Sequence, residues 1–286
     1  MPAHQRAAHT PLGHAWETFE RAKTIFEMGR WTASIPVFEK AQELFRESFE
    51  EEGQTMCHAA IAAALNNAGQ PQAALEHALA ALEFYERYDL HLQLAEQRQN
   101  IALMYAALGN THEARRFHAL AGDSYAAAGE FEQAGQNKHS AASIFAQERL
   151  INDARENFTD AISHFTQAVA NTAAPSALRA KATALMQLAY LEKLDHVNDG
   201  ARLMYQEALE IFTELQAFWE IGTCLEGLAA IEFDDRNVER AVPLAKQALD
   251  TFQAHGYRRD ALRAKANYRA TLLAAATAPS TEEDRP

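Results

Sequence analysis

Small residues that recur every 40 positions constrain the fold of this chain more than any other feature of its sequence. Gly29, Gly69 and Gly109 mark the period. Alanines keep constant offsets before and after these glycines, at Ala22, Ala62, Ala102 and Ala142, and at Ala41, Ala81, Ala121 and Ala161. Small residues at fixed offsets are typical of stacked units whose helices approach closely at equivalent points. The sequence therefore predicts a helical repeat, an architecture that argues against an enzyme.

Six helix–turn–helix units and one final helix follow from this period. Glycine at a turn permits the left-handed conformation that ends a helix. Only 8 residues of the chain are proline, so few positions oppose helix formation. The predicted helix pairs are 15–28 with 32–51, 54–68 with 72–88, 94–108 with 111–128, 131–147 with 152–170, 176–194 with 198–215 and 217–233 with 238–255, and the final helix is 259–276. The expected fold is all-α, a superhelical solenoid of about six such repeats with a C-terminal capping helix.

The period slips once, since Ala154 and its next equivalent Ala201 are 47 residues apart. The additional residues lie near 168–177, where either the second helix of the fourth unit is longer or the connection is looser. This region is a candidate hinge. The expected division is a disordered tail over 1–14, repeats over 15–170, a connector over 171–177, repeats over 178–255, a capping helix over 256–276 and a disordered tail over 277–286.

The third unit carries a full set of repeat markers. They are Ile101, Ala102, Tyr105, Gly109, Ala114 and Ala121. These markers resemble those of the tetratricopeptide repeat family, and the resemblance extends over about residues 15–255. The unit of 40 residues is longer than the common 34, and in this it resembles the variants found in bacterial signalling regulators and polarity-type adaptor proteins. The resemblance implies a concave inner face, lined by the first helix of each unit, that binds polypeptide.

The first helices supply the expected binding residues, because side chains there that stacking does not need are free to bind. These residues are Trp16, Phe19, Lys23, Asn66, Asn67, Gln99, Asn100, Gln136, His139, Gln187 and Tyr190. Each amide side chain has a donor group and an acceptor, so this lining suits the backbone of a peptide. The alternatives are that the amides are solvated residues of an exposed face, and that the aromatic residues pack on the N-terminal tail or on a second copy of the chain.

Composition restricts the class of partner. The net charge of −13 argues against nucleic acid, which usually requires a basic face, and suits a soluble cytoplasmic protein. The sequence has no apolar run long enough for a signal peptide or a membrane span. Cys57 and Cys224 are too far apart to indicate a thiolate cluster, and the twelve histidines form no zinc-binding motif. We therefore expect neither a metal nor a cofactor.

Three functions remain open from the sequence. The leading hypothesis is a non-catalytic, cytoplasmic scaffold that binds a protein or peptide segment in its concave groove, with self-association into a homodimer left open. The second is a regulator of bacterial signalling or transcription that responds to a peptide or protein partner. The third is an enzyme with an unrecognised site, which only the number of histidines motivates.

Overall fold

The computed structural model describes residues 10–277, and these residues form thirteen α-helices with no β-strand among them. The helices are α1 (Pro11–Glu27), α2 (Trp31–Glu47), α3 (Glu51–Asn67), α4 (Pro71–Arg87), α5 (His91–Ala107), α6 (Thr111–Ala127), α7 (Phe131–Gln147), α8 (Ile151–Thr172), α9 (Pro175–Leu194), α10 (Asn198–Glu214), α11 (Phe218–Asp234), α12 (Val238–Ala254) and α13 (Arg258–Thr277). Each predicted helix has its counterpart in this series, so the all-α prediction is confirmed.

Regular helix lengths produce the 40-residue period. Each of the first seven helices has 17 residues, and turns of three residues separate them. The slip in the period comes from longer helices, because α8 has 22 residues and α9 has 20. Only Ala173 and Ala174 separate these two helices, so most of the expected connector over 171–177 is helical. The hinge proposed for this region stays a prediction.

A left-handed residue follows each of the first twelve helices, at a spacing of 20 residues except on either side of Ala173, where α8 and α9 are longer. Glycine has this conformation at 29, 69, 109, 129 and 256, and other residues have it at Phe49, Asp89, Arg149, Ala173, His196, Gln216 and Arg236. At the end of α1 the amide of Gly29 donates to the Phe26 carbonyl at 2.9 Å, and that of Arg30 donates to the Ile25 carbonyl at 3.3 Å. Both bonds satisfy carbonyls that the helix leaves unpaired.

The first helix begins earlier than the sequence predicted. Thr10 caps it, since the Thr10 hydroxyl oxygen accepts a hydrogen bond from the Gly13 amide at 3.0 Å, and Pro11 occupies the first helical position. Residues 11–14, which the sequence assigned to the N-terminal tail, therefore belong to α1. The remainder of the expected disordered tails, at 1–9 and 278–286, lies outside the described residues.

The chain divides into two compact units, of which the first ends at Glu148 and the second begins at Arg149. The periodic alanines are buried where helices touch, in the first unit at Ala22, Ala41, Ala62, Ala81, Ala102, Ala121 and Ala142, and in the second at Ala154, Ala161 and Ala201. Larger side chains fill the space between these contacts. Phe38, Phe45, Ile61 and Ile101 do so in the first unit, and Phe158, Phe165, Phe212 and Phe252 do so in the second.

Helix α13 differs from its predecessors on the side where a further helix would pack. At its fifth position α11 has Gly222, and a Cβ atom there would lie 2.5 Å from Phe252 Cε1 of α12. The fifth residue of α13 is Leu262, which is 70% exposed. Lys265 of α13 stands where α11 has the buried Leu225. Bulk and charge thus replace the small and apolar residues that hold a following helix, as the end of a repeat array requires.

Candidate binding surface on the first helices of the repeats

A cleft of about 250 Å³ opens between α1 and α3 in the first unit. We call it the α1–α3 cleft, and its lining residues are Phe19, Lys23, Phe26, Glu27, Phe38, Ala60 and Ala63. Phe19 and Phe38 form its buried floor, with ring centroids 5.4 Å apart in an edge-to-face arrangement. The two alanines of α3 leave the cleft open because they place only methyl groups opposite the rings. Two of the predicted binding residues, Phe19 and Lys23, thus line one cleft.

Two opposite charges stand at the rim of this cleft. Lys23 and Glu27 are exposed and lie four residues apart on α1. Within residues 10–277, neither side chain takes part in a hydrogen bond or an ion pair. The α1–α3 cleft therefore combines an apolar floor with an exposed cation and an exposed anion that no salt bridge among the described residues holds in place.

Trp16 lies outside the cleft and belongs to the core of the first unit. Its ring centroid is 4.8 Å from that of Phe45 and 6.0 Å from that of Phe19, and both contacts are edge-to-face. The indole is half-buried by these contacts. Trp16 therefore packs against Phe19 within the core and does not line the cleft.

Three predicted asparagines lie farther along the first unit. Together with the α1–α3 cleft they form what we call the inner strip. Asn66 and Asn67 end α3 at the positions that Phe26 and Glu27 have in α1, and Asn100 has in α5 the position of Ala60 in α3. Asn67 and Asn100 are exposed, and Asn66 is half-buried. Helical repeats place equivalent positions on one face, so these amides extend the lining of the α1–α3 cleft with groups that donate and accept hydrogen bonds.

Gln99 is held by a polar network that joins α5, α6 and α7. Its Oε1 atom accepts hydrogen bonds from Tyr125 Oη at 2.8 Å and from Asn137 Nδ2 at 3.2 Å. Asn137 Oδ1 in turn pairs with His118 Nδ1 at 2.9 Å. Burial lowers the pKa of His118, and the bond to Asn137 opposes this effect only in part. The side-chain oxygen of Gln99 therefore stabilises the packing of α5 with α6 and α7.

The sequence held only part of the signal for this network. His118 stands where the repeat family usually has an aromatic residue, but nothing in the sequence marks Asn137 as its partner. Gln136, next to Asn137, is exposed on α7. His139 is half-buried on the same helix, and its carbonyl accepts a hydrogen bond from the Ser143 hydroxyl at 2.9 Å.

The remaining predicted residues, Gln187 and Tyr190, lie on α9 in the second unit. Gln187 is half-buried and Tyr190 is 55% exposed. Neither lines a cleft of about 220 Å³ that opens between α11 and α13 of this unit. We call it the α11–α13 cleft, and its lining residues are Glu226, Ala229, Ala230, Phe233, Asp234, Ala245, Ala264, Asn267, Ala270 and Thr271.

Residues 10–277 contain no group of three or more His, Cys, Asp or Glu side chains placed to hold a metal ion. Burial raises the pKa of both thiols, Cys57 and Cys224, to about 12, so they remain protonated at neutral pH. Among the described helices, none is both long and apolar enough to cross a lipid bilayer.

Solved structures with the same fold cover most of the chain. BtubC (BKLC) from P. vanneervenii is 18% identical, with a TM-score of 0.54 over 90% of this chain and 93% of that one. A signal transduction ATPase with a tetratricopeptide repeat sensor, from Pyrococcus horikoshii, is 14% identical, with a TM-score of 0.60 over 90% of this chain and 38% of that one. Aspartyl phosphate phosphatase F from Bacillus subtilis is 13% identical, with a TM-score of 0.52 over 94% and 72%.

Sequence comparison gives the family. No curated protein sequence matches the chain. The family described as soluble NSF attachment protein, SNAP, matches residues 8–166 and again residues 110–252. The helix pairs, the buried alanines and the structural relatives confirm the tetratricopeptide-type repeat that the sequence markers indicated. The chain therefore belongs to the soluble NSF attachment protein (SNAP) family of helical-repeat proteins.

Proposed function

We propose that this protein is a non-catalytic scaffold that binds a polypeptide segment of a partner along the inner strip of its first unit. The α1–α3 cleft carries the proposal, because Lys23 and Glu27 stand exposed beside an apolar floor with no salt-bridge partner among residues 10–277. Exposed asparagines in register with the cleft supply hydrogen-bonding groups farther along. The net charge of −13 disfavours nucleic acid as the partner and suits the cytoplasm, which is the location we propose.

In the expected mode of binding, the cleft buries an apolar side chain and the amides form hydrogen bonds with the backbone. An apolar side chain of the segment would occupy the cleft, which contributes about 1.5–3 kcal/mol for full burial. Asn66, Asn67 and Asn100 would donate to and accept from its backbone, at about 1 kcal/mol net for each bond. Association itself costs roughly 4–15 kcal/mol. No single contact holds a partner against that cost, so binding should depend on the cleft and the amides together.

One of the structural relatives supports a binding function through its name, whereas another is named as an enzyme. One contains a tetratricopeptide repeat sensor, and the other is an aspartyl phosphate phosphatase. The sensor is a recognition module in its own protein, and the same scaffold in this chain has the open cleft and free amides that recognition requires.

A set of matched charge substitutions tests the proposal. The surface variant carries Asn66→Arg, Asn67→Arg and Asn100→Arg, which place three bulky cations on the strip. The control variant carries Gln72→Arg, Ala73→Arg and Ala80→Arg, which add the same charge at exposed positions of α4. Proteins captured from the native cell by each variant and by the parent chain are compared by mass spectrometry.

The proposal predicts a partner that the parent and the control variant retain and the surface variant loses. Recovery of the same proteins by all three chains contradicts it. Light scattering of the purified parent chain measures the molar mass and shows whether a second copy of the chain is itself the partner.

The second candidate function is a regulator that changes conformation when a signalling peptide binds. The division between Glu148 and Arg149 favours it, because the chain consists of two compact units. X-ray scattering with and without saturating peptide tests this candidate. An unchanged scattering profile excludes a conformational change of useful size and leaves the scaffold function in place.

A further inference from the structure

We propose that the second unit contains a binding site of its own, the α11–α13 cleft, which accepts a single uncharged apolar side chain of a partner polypeptide. This site requires nothing of the first unit. It differs from the α1–α3 cleft in the chemistry of its rim, and this difference determines what it accepts.

Alanines create the space in the α11–α13 cleft. Ala245 of α12 and Ala264 of α13 are buried at its base, while Ala230 and Ala270 flank it on α11 and α13. Phe233 forms a wall and is 41% exposed. Apolar cavities of about 150 Å³ in other proteins hold benzene. A cleft of about 220 Å³ therefore has room for one benzyl or isobutyl group.

The carboxylates of this cleft are already neutralised by protein groups. Glu226 accepts from Arg263 Nη2 at 2.6 Å and from Asn267 Nδ2 at 3.1 Å. Asp234 is paired with Lys193 Nζ at 3.0 Å. A charged ligand group entering here would lose its hydration without gaining a free counter-charge, and that loss costs several kcal/mol. An apolar group gains free energy by leaving water, so the cleft selects uncharged apolar side chains.

The repeat register explains why a cleft exists at this place. Phe233 and Asp234 are the last two residues of α11, as Phe26 and Glu27 are of α1. The facing alanine also recurs, since Ala270 is the thirteenth residue of α13 and Ala63 is the thirteenth of α3. Each unit thus builds a cleft from a phenylalanine at the end of one helix and an alanine on the second helix after it. Lys193 pairs with Asp234 at the rim of the second cleft, whereas Lys23 and Glu27 place an exposed cation and an exposed anion at the rim of the first.

Binding of small probes to the full chain tests the assignment. The probes are N-acetyl-L-phenylalanine amide and N-acetyl-L-leucine amide, and the charged controls are N-acetyl-L-lysine amide and N-acetyl-L-aspartic acid amide. Alanine methyl resonances are recorded by NMR during titration. We expect saturable shifts at Ala230, Ala264 and Ala270 with the apolar probes, at dissociation constants in the millimolar range, as is usual for ligands of this size. The charged probes should produce no saturable shift.

Matched variants locate the site. Ala270→Leu fills the cleft and should weaken binding of the apolar probes by about tenfold or more. Ala266→Leu adds the same side chain at an exposed position of α13 outside the cleft and should leave binding unchanged. Phe233→Ala removes the exposed wall and should also weaken binding, which guards against a local rearrangement in a single variant. Melting temperatures within a few degrees of the parent verify folding.

Three results would overturn the assignment. They are the absence of saturable shifts with both apolar probes, equal binding of the charged probes, and undiminished binding by both Ala270→Leu and Phe233→Ala. Ala63→Leu, which fills the α1–α3 cleft, should leave these shifts intact. Failure of the function proposed for the first unit is therefore distinguishable from failure of this one.

Discussion

Arg202 and Glu232 clasp two successive helices of the second unit. Arg202 Nε on α10 donates to Glu232 Oε1 on α11 at 2.9 Å, and the Glu232 side chain is only 6% exposed. Arg155 has the same position on α8 and binds Glu192 and Asp195 at the end of α9. Arg115 on α6 binds Glu148 in the first unit in the same way. An arginine at the fifth residue of one helix thus recurs as a clasp on the end of the next.

Removing this arginine should destabilise the second unit. Arg202→Ala leaves Glu232 buried without a cation and with only the hydrogen bond from Asn237 Nδ2, which we expect to cost about 2–3 kcal/mol of unfolding free energy, since both members of the ion pair are largely shielded from water. Urea unfolding followed by circular dichroism of the helices measures the effect in both units. The matched control is Arg46→Ala, because Arg46 pairs with Glu43 on an exposed surface and should cost less than about 1 kcal/mol.

The double variant Arg202→Met with Glu232→Met should recover much of the lost stability, because it removes both charges together. If Arg202→Ala is no more costly than Arg46→Ala, the clasp does not hold the helices. If the double variant is less stable than Arg202→Ala alone, the penalty does not come from the unpaired carboxylate.

Much of the fold, but little of this clasp, was predictable from the sequence. Glycine and alanine at constant spacing are local signals, and they placed every helix to within a few residues. The partners Arg202 and Glu232 are 30 residues apart, and no local pattern indicates that their side chains meet. The α11–α13 cleft was missed for a related reason, since alanines such as Ala245 and Ala264 signal close packing and give no sign of an open cleft.

The left-handed helix ends that lack glycine were also not predictable from the sequence. Five helix ends have glycine, but Phe49, Asp89 and others adopt the same left-handed conformation without it. Their identity gives no signal, because the turn is imposed by the packing of the helices on either side. Residues with a Cβ atom have backbone strain in this conformation, and glycine avoids that strain.

Replacing one of these residues with glycine should stabilise the chain. Phe49 has a φ of 56° and its side chain is 95% exposed, so Phe49→Gly removes backbone strain and loses almost no packing. We expect a gain of about 0.5–1 kcal/mol in unfolding free energy. The converse substitution, Gly69→Ala at a φ of 77°, should lower stability by about 1 kcal/mol. Thermal unfolding of the two variants beside the parent decides the matter, and a loss of stability in Phe49→Gly would show that the exposed ring contributes to folding.

Stability should fall as the pH falls below about 6.5. Burial lowers the pKa of His58 and of His118 in the folded chain, and His77, whose Nδ1 is 3.1 Å from that of His58, lowers the pKa of His58 further. Below the ordinary histidine pKa of about 6.5, these histidines bind protons in the unfolded chain but remain neutral in the folded chain. Unfolding therefore becomes more favourable as the pH falls. The contribution is complete above that pH and is lost progressively down to the lowered pKa values.

Urea midpoints at pH 7.5 and pH 5.5 test this expectation. The double variant His58→Gln with His118→Gln should lose less stability between the two pH values than the parent chain does. The control is His112→Gln, because the His112 side chain is 67% exposed and its contact with Glu113 lies at the surface. Equal pH dependence in the double variant and the parent would assign the acid sensitivity to other groups.

The end of the repeat array gives a last prediction about association. On α11, Leu225 and Ala229 face the buried side of the unit, and α13 has Lys265 and Arg269 at the equivalent positions. The variant Lys265→Leu with Arg269→Ala gives α13 the apolar character of an internal helix, beside the exposed Leu262, Leu272 and Leu273. An enlarged apolar patch should promote self-association, so we expect concentration-dependent dimers or larger species in sedimentation velocity at micromolar concentrations. The control variant Arg258→Ala with Arg259→Ala removes the same net charge at exposed positions in the first turn of α13 and should sediment as the parent does. If both variants sediment like the parent, the two cations of α13 do not limit association.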